Sequence, residues 1–166
     1  MELGEIAEDQ SAVMDFLVDP ASHGKSNVQR IDTHCAVVFL TGQLAYKLER
    51  AVWFPILDFT SVAKRRDACE AELRLNRQTA PDLYIGVVPV TRDDDGRHTI
   101  DDARISVDWL VVMQRFDQDL LFERLAEHDE LNNTILFGLT DHVVEFYHRA
   151  EIRKDQGGVA TMRWVV

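Results

Sequence analysis

The sequence has little that would tie it to an oxidising compartment, a metal or a nucleic acid. It holds two cysteines, Cys35 and Cys69, neither in a CxxC pair. No disulfide framework is expected, and both read as reduced, half-buried thiols. The six histidines are scattered, with no HExxH and no Cys/His cluster at zinc spacing, which removes any reason to expect a structural metal. Positive charge is scarce: 18 Lys and Arg face 29 Asp and Glu, for a net charge of −11 and a pI near 4.9. Such a surface repels phosphates at long range and argues against general nucleic-acid binding, although one lysine in a pocket can still hold one phosphate. No run approaches the roughly 18 apolar residues of a membrane span. The first ten residues carry Glu2, Glu5, Glu8 and Asp9 where a secretory leader needs a basic start and an apolar stretch. A cytoplasmic protein without a membrane or nucleic-acid partner is expected.

What is present is an ordinary globular composition, 46% hydrophobic and 28% charged, on 166 residues, enough for one domain. Residues 6–18 place Ile6, Val13, Met14, Phe16, Leu17 and Val18 along one helical side, and Asp19-Pro20 ends that helix. Residues 21–27 read as loop. Residues 28–31, 35–40 and 44–48 are short apolar or β-branched segments, with turns at Asp32-Thr33-His34 and Thr41-Gly42-Gln43, so a three-stranded meander is predicted. An irregular stretch around Trp53 and Phe59 leads to a helix capped by Thr60 or Ser61 and running to about Thr79, before Pro81.

Two further strands follow at 83–90 and 106–115, separated by the turn-forming Asp93-Asp94-Asp95-Gly96. No glutamate lies at the later spacing a calcium loop needs, so this run reads as a solvated hairpin tip. Helices are predicted over 119–127 and 132–151, the second with an apolar stripe of Ile135, Leu136, Leu139, Val143, Phe146 and Tyr147 that reads as core. The order gives an α+β domain with a mainly antiparallel sheet of about five strands and a packed helix. The apolar terminus at Trp164, Val165 and Val166 suggests a boundary within a larger structure, or a partner covering that end.

One residue on the third strand stands out. Lys47 sits between apolar neighbours in Ala45-Tyr46-Lys47-Leu48, and an ammonium in a sheet needs an anion or a route to water. A lysine on a strand beneath a hairpin is what kinase-type sites set against the α- and β-phosphates, held there by a carboxylate of the next helix. On that helix Glu72, Leu75, Asn76 and Thr79 share one side, facing the sheet, while Glu70 points about 200° away. Glu72 is thus the first choice as partner of Lys47 and Glu70 the reserve. The bland alternatives are a lysine snorkelling to water and a glutamate pairing with Arg65 or Arg66.

These residues belong to a longer ordered set. Asp32-Thr33-His34, Leu40-Thr41-Gly42, Ala45-Tyr46-Lys47-Leu48, Leu57-Asp58-Phe59, Lys64-Arg65-Arg66, the run from Cys69 to Arg77, and Ala80-Pro81-Asp82-Leu83-Tyr84 follow one another. Val88-Pro89-Val90, Met113-Gln114-Arg115-Phe116 and Phe146-Tyr147-His148-Arg149-Ala150-Glu151 continue it. Over about residues 25–166 the chain resembles the N-terminal region of bacterial aminoglycoside-phosphotransferase-like proteins, in many of which the kinase-like part is fused to a P-loop ATPase domain.

The resemblance implies a protein-kinase-like N-terminal lobe over 28–116, preceded by a helix and linker over 1–27 and followed by the start of a helical lobe over 117–166. ATP is the implied cofactor. Thr33 and His34 would cover its phosphates, Lys47 would contact them and Glu72 would hold Lys47. Residues 113–116 would form the hinge, where Met113 and the backbone of Gln114 and Phe116 meet the adenine.

The chain also departs from the family. Where members often have a basic residue and proline after the lysine strand, it reads Glu49-Arg50-Ala51. In a regular strand Lys47 and Glu49 share a face, which sets a negative charge beside the phosphates; a bulge, or a strand ending at Leu48, would separate them. No HGD, HRD or DFG-like run occurs, and no GxxxxGK[ST]. Magnesium is therefore expected only with a second lobe, no catalytic residue is assigned within the chain, and turnover by the chain alone is not expected. The expected partners are a nucleotide and either the missing lobe or an ATPase domain. The alternative is a non-catalytic interaction module derived from the same fold.

Overall fold

The computed structural model describes residues 6–150 and Ile152. The chain divides into two units, Met1–Phe116 and Asp117–Val166. The first is an α+β arrangement around a six-stranded antiparallel sheet. Its elements are α1 (Ser11–Val18), β1 (Val28–Asp32), β2 (Ala36–Thr41), β3 (Leu44–Glu49), β4 (Trp53–Phe54), β5 (Leu57–Asp58), α2 (Val62–Asn76), β6 (Tyr84–Arg92), β7 (His98–Ile100) and β8 (Ile105–Gln114). The main sheet runs β1-β2-β3-β8-β6-β7, while β4 and β5 form a separate small hairpin.

The period-2 alternation of the strands assigns the faces. Val37 pairs with Leu48, Leu48 with Leu110, and Leu110 with Val88, so these side chains form one apolar row across four strands. Val13 and Leu17 of α1, one turn apart, close over that row in a core that also holds Phe39 and Val90. Burying each such side chain contributes about 1.5–3 kcal/mol. The next row, Val38, Lys47, Val111 and Val87, points to the opposite face. There α2 packs, with the Cys69 thiol against the Trp109 carbonyl and the Arg66 guanidinium 4.6 Å above the Trp109 ring.

Several sequence-based boundaries move. The first helix begins at Ser11 rather than at residue 6, because the preceding segment is extended: Ile6 bridges Val52, and the Ala7 amide donates to the Ala51 carbonyl. The sheet has six strands, not about five. The Asp93–Gly96 turn does not return the chain to β8; it closes a β6–β7 hairpin, with Gly96 at φ 84°, and β8 then enters between β3 and β6. The stretch read as irregular contains the β4–β5 hairpin. Ser61, not Thr60, caps α2, accepting from the Lys64 amide. The β2–β3 hairpin turns through Gly42 at φ 51°, a left-handed value that glycine adopts freely and that suits the first position of a two-residue hairpin.

The second unit contains α3 (Phe122–Glu127) and α4 (Asn133–Arg149). The helix expected from Asp119 starts instead at Phe122, after a short 3-10 turn over Gln118–Leu120 capped by Asp117. Asn132 caps α4, its side chain accepting from the Ile135 amide. The apolar stripe of α4, expected to be core, is not: among the described residues no α4 side chain is buried. Trp164, Val165 and Val166 lie outside the described residues.

Candidate functional site

Lys47 lies on β3 inside the sheet, and its ammonium reaches the α2 face. It donates to Glu72 Oε2 at 2.7 Å and lies 2.8 Å from Glu49 Oε1. The Lys47 side chain keeps 24% of its surface exposed, Glu72 17% and Glu49 4%. Strand β3 runs regularly through Glu49, in register with Ala36, so neither a bulge nor a strand end at Leu48 separates it from Lys47. Lys47 and Glu49 share the face that alternation gives them. Two carboxylates therefore flank one ammonium.

The helix presents Glu72 through a row of residues 65, 69, 72 and 76. Arg65 and Cys69 are buried, Glu72 meets Lys47, and the Asn76 amide donates to the Tyr84 hydroxyl at 3.1 Å. Leu75, expected beside Glu72 against the sheet, is 55% exposed instead. Glu70 bonds the Arg66 guanidinium at 2.8 Å, four residues back on the same helix, and so is engaged away from Lys47.

Burial alone would lower the basicity of Lys47, but Glu49 first and Glu72 second outweigh it and raise its pKa. Burial pushes the Glu49 carboxyl upward; Lys47 opposes that shift and the charge of Glu72 adds to it. The same two carboxylates, together with burial as the main cause, push the Cys69 thiol up to about 12. Tyr84 rises as well, through burial and then through Glu72.

The other expected site residues lie in the β1–β2 turn, at the end of β8 and just beyond it. Thr33 and His34 form the exposed β1–β2 turn. The Thr33 hydroxyl and amide both bond Ala36, and the Arg50 guanidinium ties the turn down through the Thr33 carbonyl at 3.0 Å and the Asp32 carboxylate. Met113 pairs with Ala45, which places it on the Lys47 face two residues beyond Val111. The Gln114 amide donates to the Leu83 carbonyl at 2.8 Å, and the Phe116 side chain is exposed. Among the described residues, no three His, Cys, Asp or Glu side chains are grouped as metal ligands.

A second polar cluster was not anticipated. Arg65 bonds Asp108 at 2.8 Å, Glu8 at 2.8 Å and the Phe59 carbonyl at 3.1 Å. Gln10 donates to Asp108 at 2.7 Å and to the Glu49 carbonyl at 2.9 Å, and accepts from the Ala51 amide at 2.8 Å. This cluster fixes the backbone on either side of Arg50, where β3 ends. Asp108, a lone charge within the apolar run of β8, and Arg65, on the sheet-facing row of α2, were visible signals; Gln10 gave none.

No protein-family model matches the chain, and no solved structure matches it. The chain is similar to uncharacterized proteins of Mycobacterium bovis and Mycobacterium tuberculosis, at 27% identity over 138 residues, which cover 80% of this chain and 26% of each relative. It thus spans about a quarter of the length of the curated relatives it matches. Among the described residues no helix is long and apolar enough to cross a membrane.

Proposed function

We propose that the chain is the ATP-gripping lobe of a kinase-like small-molecule phosphotransferase of the aminoglycoside-phosphotransferase-like kind. The observation that carries the reading is the 2.7 Å bond between Lys47 on an interior strand and Glu72 on the helix packed over it. A phosphate-binding lysine works best when held in place, because an ammonium on a free four-carbon stem loses conformational entropy on every binding event. The anchoring carboxylate removes that loss in advance and keeps the ammonium charged. Lys47 fits a phosphate in charge and retains exposed surface, while Glu49 opposes it.

In this reading Lys47 contacts the α- and β-phosphates, Glu72 holds Lys47, the Thr33–His34 turn lies over the phosphates and residues 113–116 meet the adenine. The bound nucleotide supplies the phosphoryl group. The aspartates that bind magnesium and accept the acceptor's proton come from a second lobe, so the reaction and its acceptor belong to a longer polypeptide. Titration calorimetry with ATP tests the reading. Weak binding is expected, falling about tenfold or more in Lys47→Ala. Equal affinity of variant and parent would remove Lys47 from the site.

A second reading, a binding module without nucleotide chemistry, draws on α4, where Phe137 and Tyr147 are 68% and 74% exposed. Association that depends on protein concentration and ignores ATP would favour it.

A further inference from the structure

We propose that Glu49 is a ligand-selecting residue of the Lys47 site: a phosphate group joins Lys47 only as Glu49 takes up a proton from solvent and gives up its charge. The inference rests on the nucleotide reading above and deepens it. Lys47 Nζ is held at 2.7 Å by Glu72 and at 2.8 Å by Glu49, so two of its bonding directions already end on carboxylate oxygens. Two carboxylates around one ammonium leave the cluster with one surplus negative charge. A polyphosphate brought to that ammonium meets repulsion at contact distance, where a partly dry setting makes it strong.

The two carboxylates are not equivalent. Glu72 comes from a helix and keeps some contact with water, whereas Glu49 is almost fully enclosed on the same strand face as the lysine. Among the described residues, the charged and titratable groups facing Glu49 from each packed element supply no second cation. Its own strand offers Lys47 and α2 offers Glu72 and Cys69. Asp108 of β8 stands nearby through Gln10, whose amide bonds both Asp108 and the Glu49 carbonyl. Strand β2 pairs the uncharged Ala36 with Glu49. Arg65 is bonded to Asp108, Glu8 and the Phe59 carbonyl, and Arg50 to Asp32 and the Thr33 carbonyl.

Once a phosphate takes over the lysine, an ionised Glu49 is left buried with anions on two sides, the costliest state the cluster has. Protonation removes that cost and turns Glu49 into a hydroxyl donor able to bond the incoming oxygen. The upward push that burial already gives the Glu49 carboxyl runs in the same direction. The sign is therefore fixed: ATP affinity falls as pH rises and the protonated fraction of Glu49 shrinks. The acidic side chain thereby sets a threshold that favours ligands of lower negative charge at Lys47.

The test is calorimetry of ATP binding to the whole chain, from about pH 6 to about pH 8.5, in two buffers of different ionisation enthalpy so that protons are counted. Parent, Glu49→Gln, Lys47→Ala and the double variant are compared. Glu49→Gln is expected to bind ATP about tenfold more tightly near pH 8, and to take up fewer protons than the parent. Parent and Glu49→Gln binding equally, with equal proton uptake and both depending on Lys47, would overturn this inference and leave the nucleotide reading standing. Affinities unaffected by Lys47→Ala in both backgrounds, or no ATP binding by either, would sink the nucleotide reading and this inference with it. Should Glu49→Gln fail to fold by circular dichroism, the parent alone decides: uptake beyond the titration of ATP itself supports the idea, and none beyond it overturns it.

Discussion

Arg65 of α2 and Asp108 of β8 form an ion pair 2.8 Å long in which the two side chains are 0% and 1% exposed. Such a pair adds little net stability, because two charges must leave water to make it, but losing one partner strands the other. Here the pair is further satisfied by Glu8, the Phe59 carbonyl, the Trp109 amide and Gln10, so the charges form a closed network joining four parts of the fold.

Asp108→Ala is accordingly expected to lower unfolding stability by about 3–5 kcal/mol in urea denaturation, since it leaves the Arg65 guanidinium buried without its main anion. A loss below about 1 kcal/mol would mean that Arg65 reaches water once Asp108 is gone.

The β2–β3 hairpin depends on a residue with no side chain. Gly42 holds φ 51°, and a β-carbon built there would lie 3.4 Å from the Ser26 hydroxyl. Gly42→Ala is expected to cost about 1–2 kcal/mol, chiefly for placing an L residue in the left-handed region. Thermal melts compare it with the parent, and an unchanged midpoint would show that the turn relaxes to another type.

Thiol chemistry separates the two cysteines. The Cys69 thiol is fully buried and raised to about 12 by burial and the carboxylates beside it, while Cys35 is half-buried. Near pH 8 Cys69 holds on the order of one part in ten thousand as thiolate, the reactive form. Iodoacetamide is expected to label Cys35 alone in the folded chain and both cysteines in urea, as mass spectrometry would count them. Rapid labelling of Cys69 in the folded chain would contradict its burial between α2 and the sheet.

A fourth expectation concerns the β1–β2 turn. Arg50→Ala removes the guanidinium that bonds the Thr33 carbonyl and Asp32, so amide hydrogen exchange at residues 33–35 should quicken while the rest of the sheet keeps its protection. Uniform loss of protection would mean that Arg50 supports the fold and not the turn alone.

The Lys47–Glu72 pair was legible because each residue broke a local pattern: a lysine in an apolar strand, and a carboxylate on the concealed side of a polar helix. Leu75 joins the sheet-facing side only in a row extended from Glu72 toward the C-terminus. Centred on residues 65, 69, 72 and 76, the buried row leaves Leu75 about 90° off axis, toward solvent. Strand β7 was hidden by its length, since His98-Thr99-Ile100 is too short to show a period. The extended start was missed because Ile6 fits a helical pattern as well as a bridge to Val52. The stripe on α4 marks an amphipathic helix but carries no information about what covers it.

The strand order also has a consequence in time. Lys47 stands next to Val38, nine residues away in sequence, on one side and next to Val111, 64 residues on, on the other. The first contact needs only a tight hairpin, but the second requires a long loop to close, which is entropically slow. On a growing chain β2 and β3 are both available before β8 has been synthesised, so the edge of β3 that carries Lys47 toward Val111 can be paired only after about 60 further residues have been added.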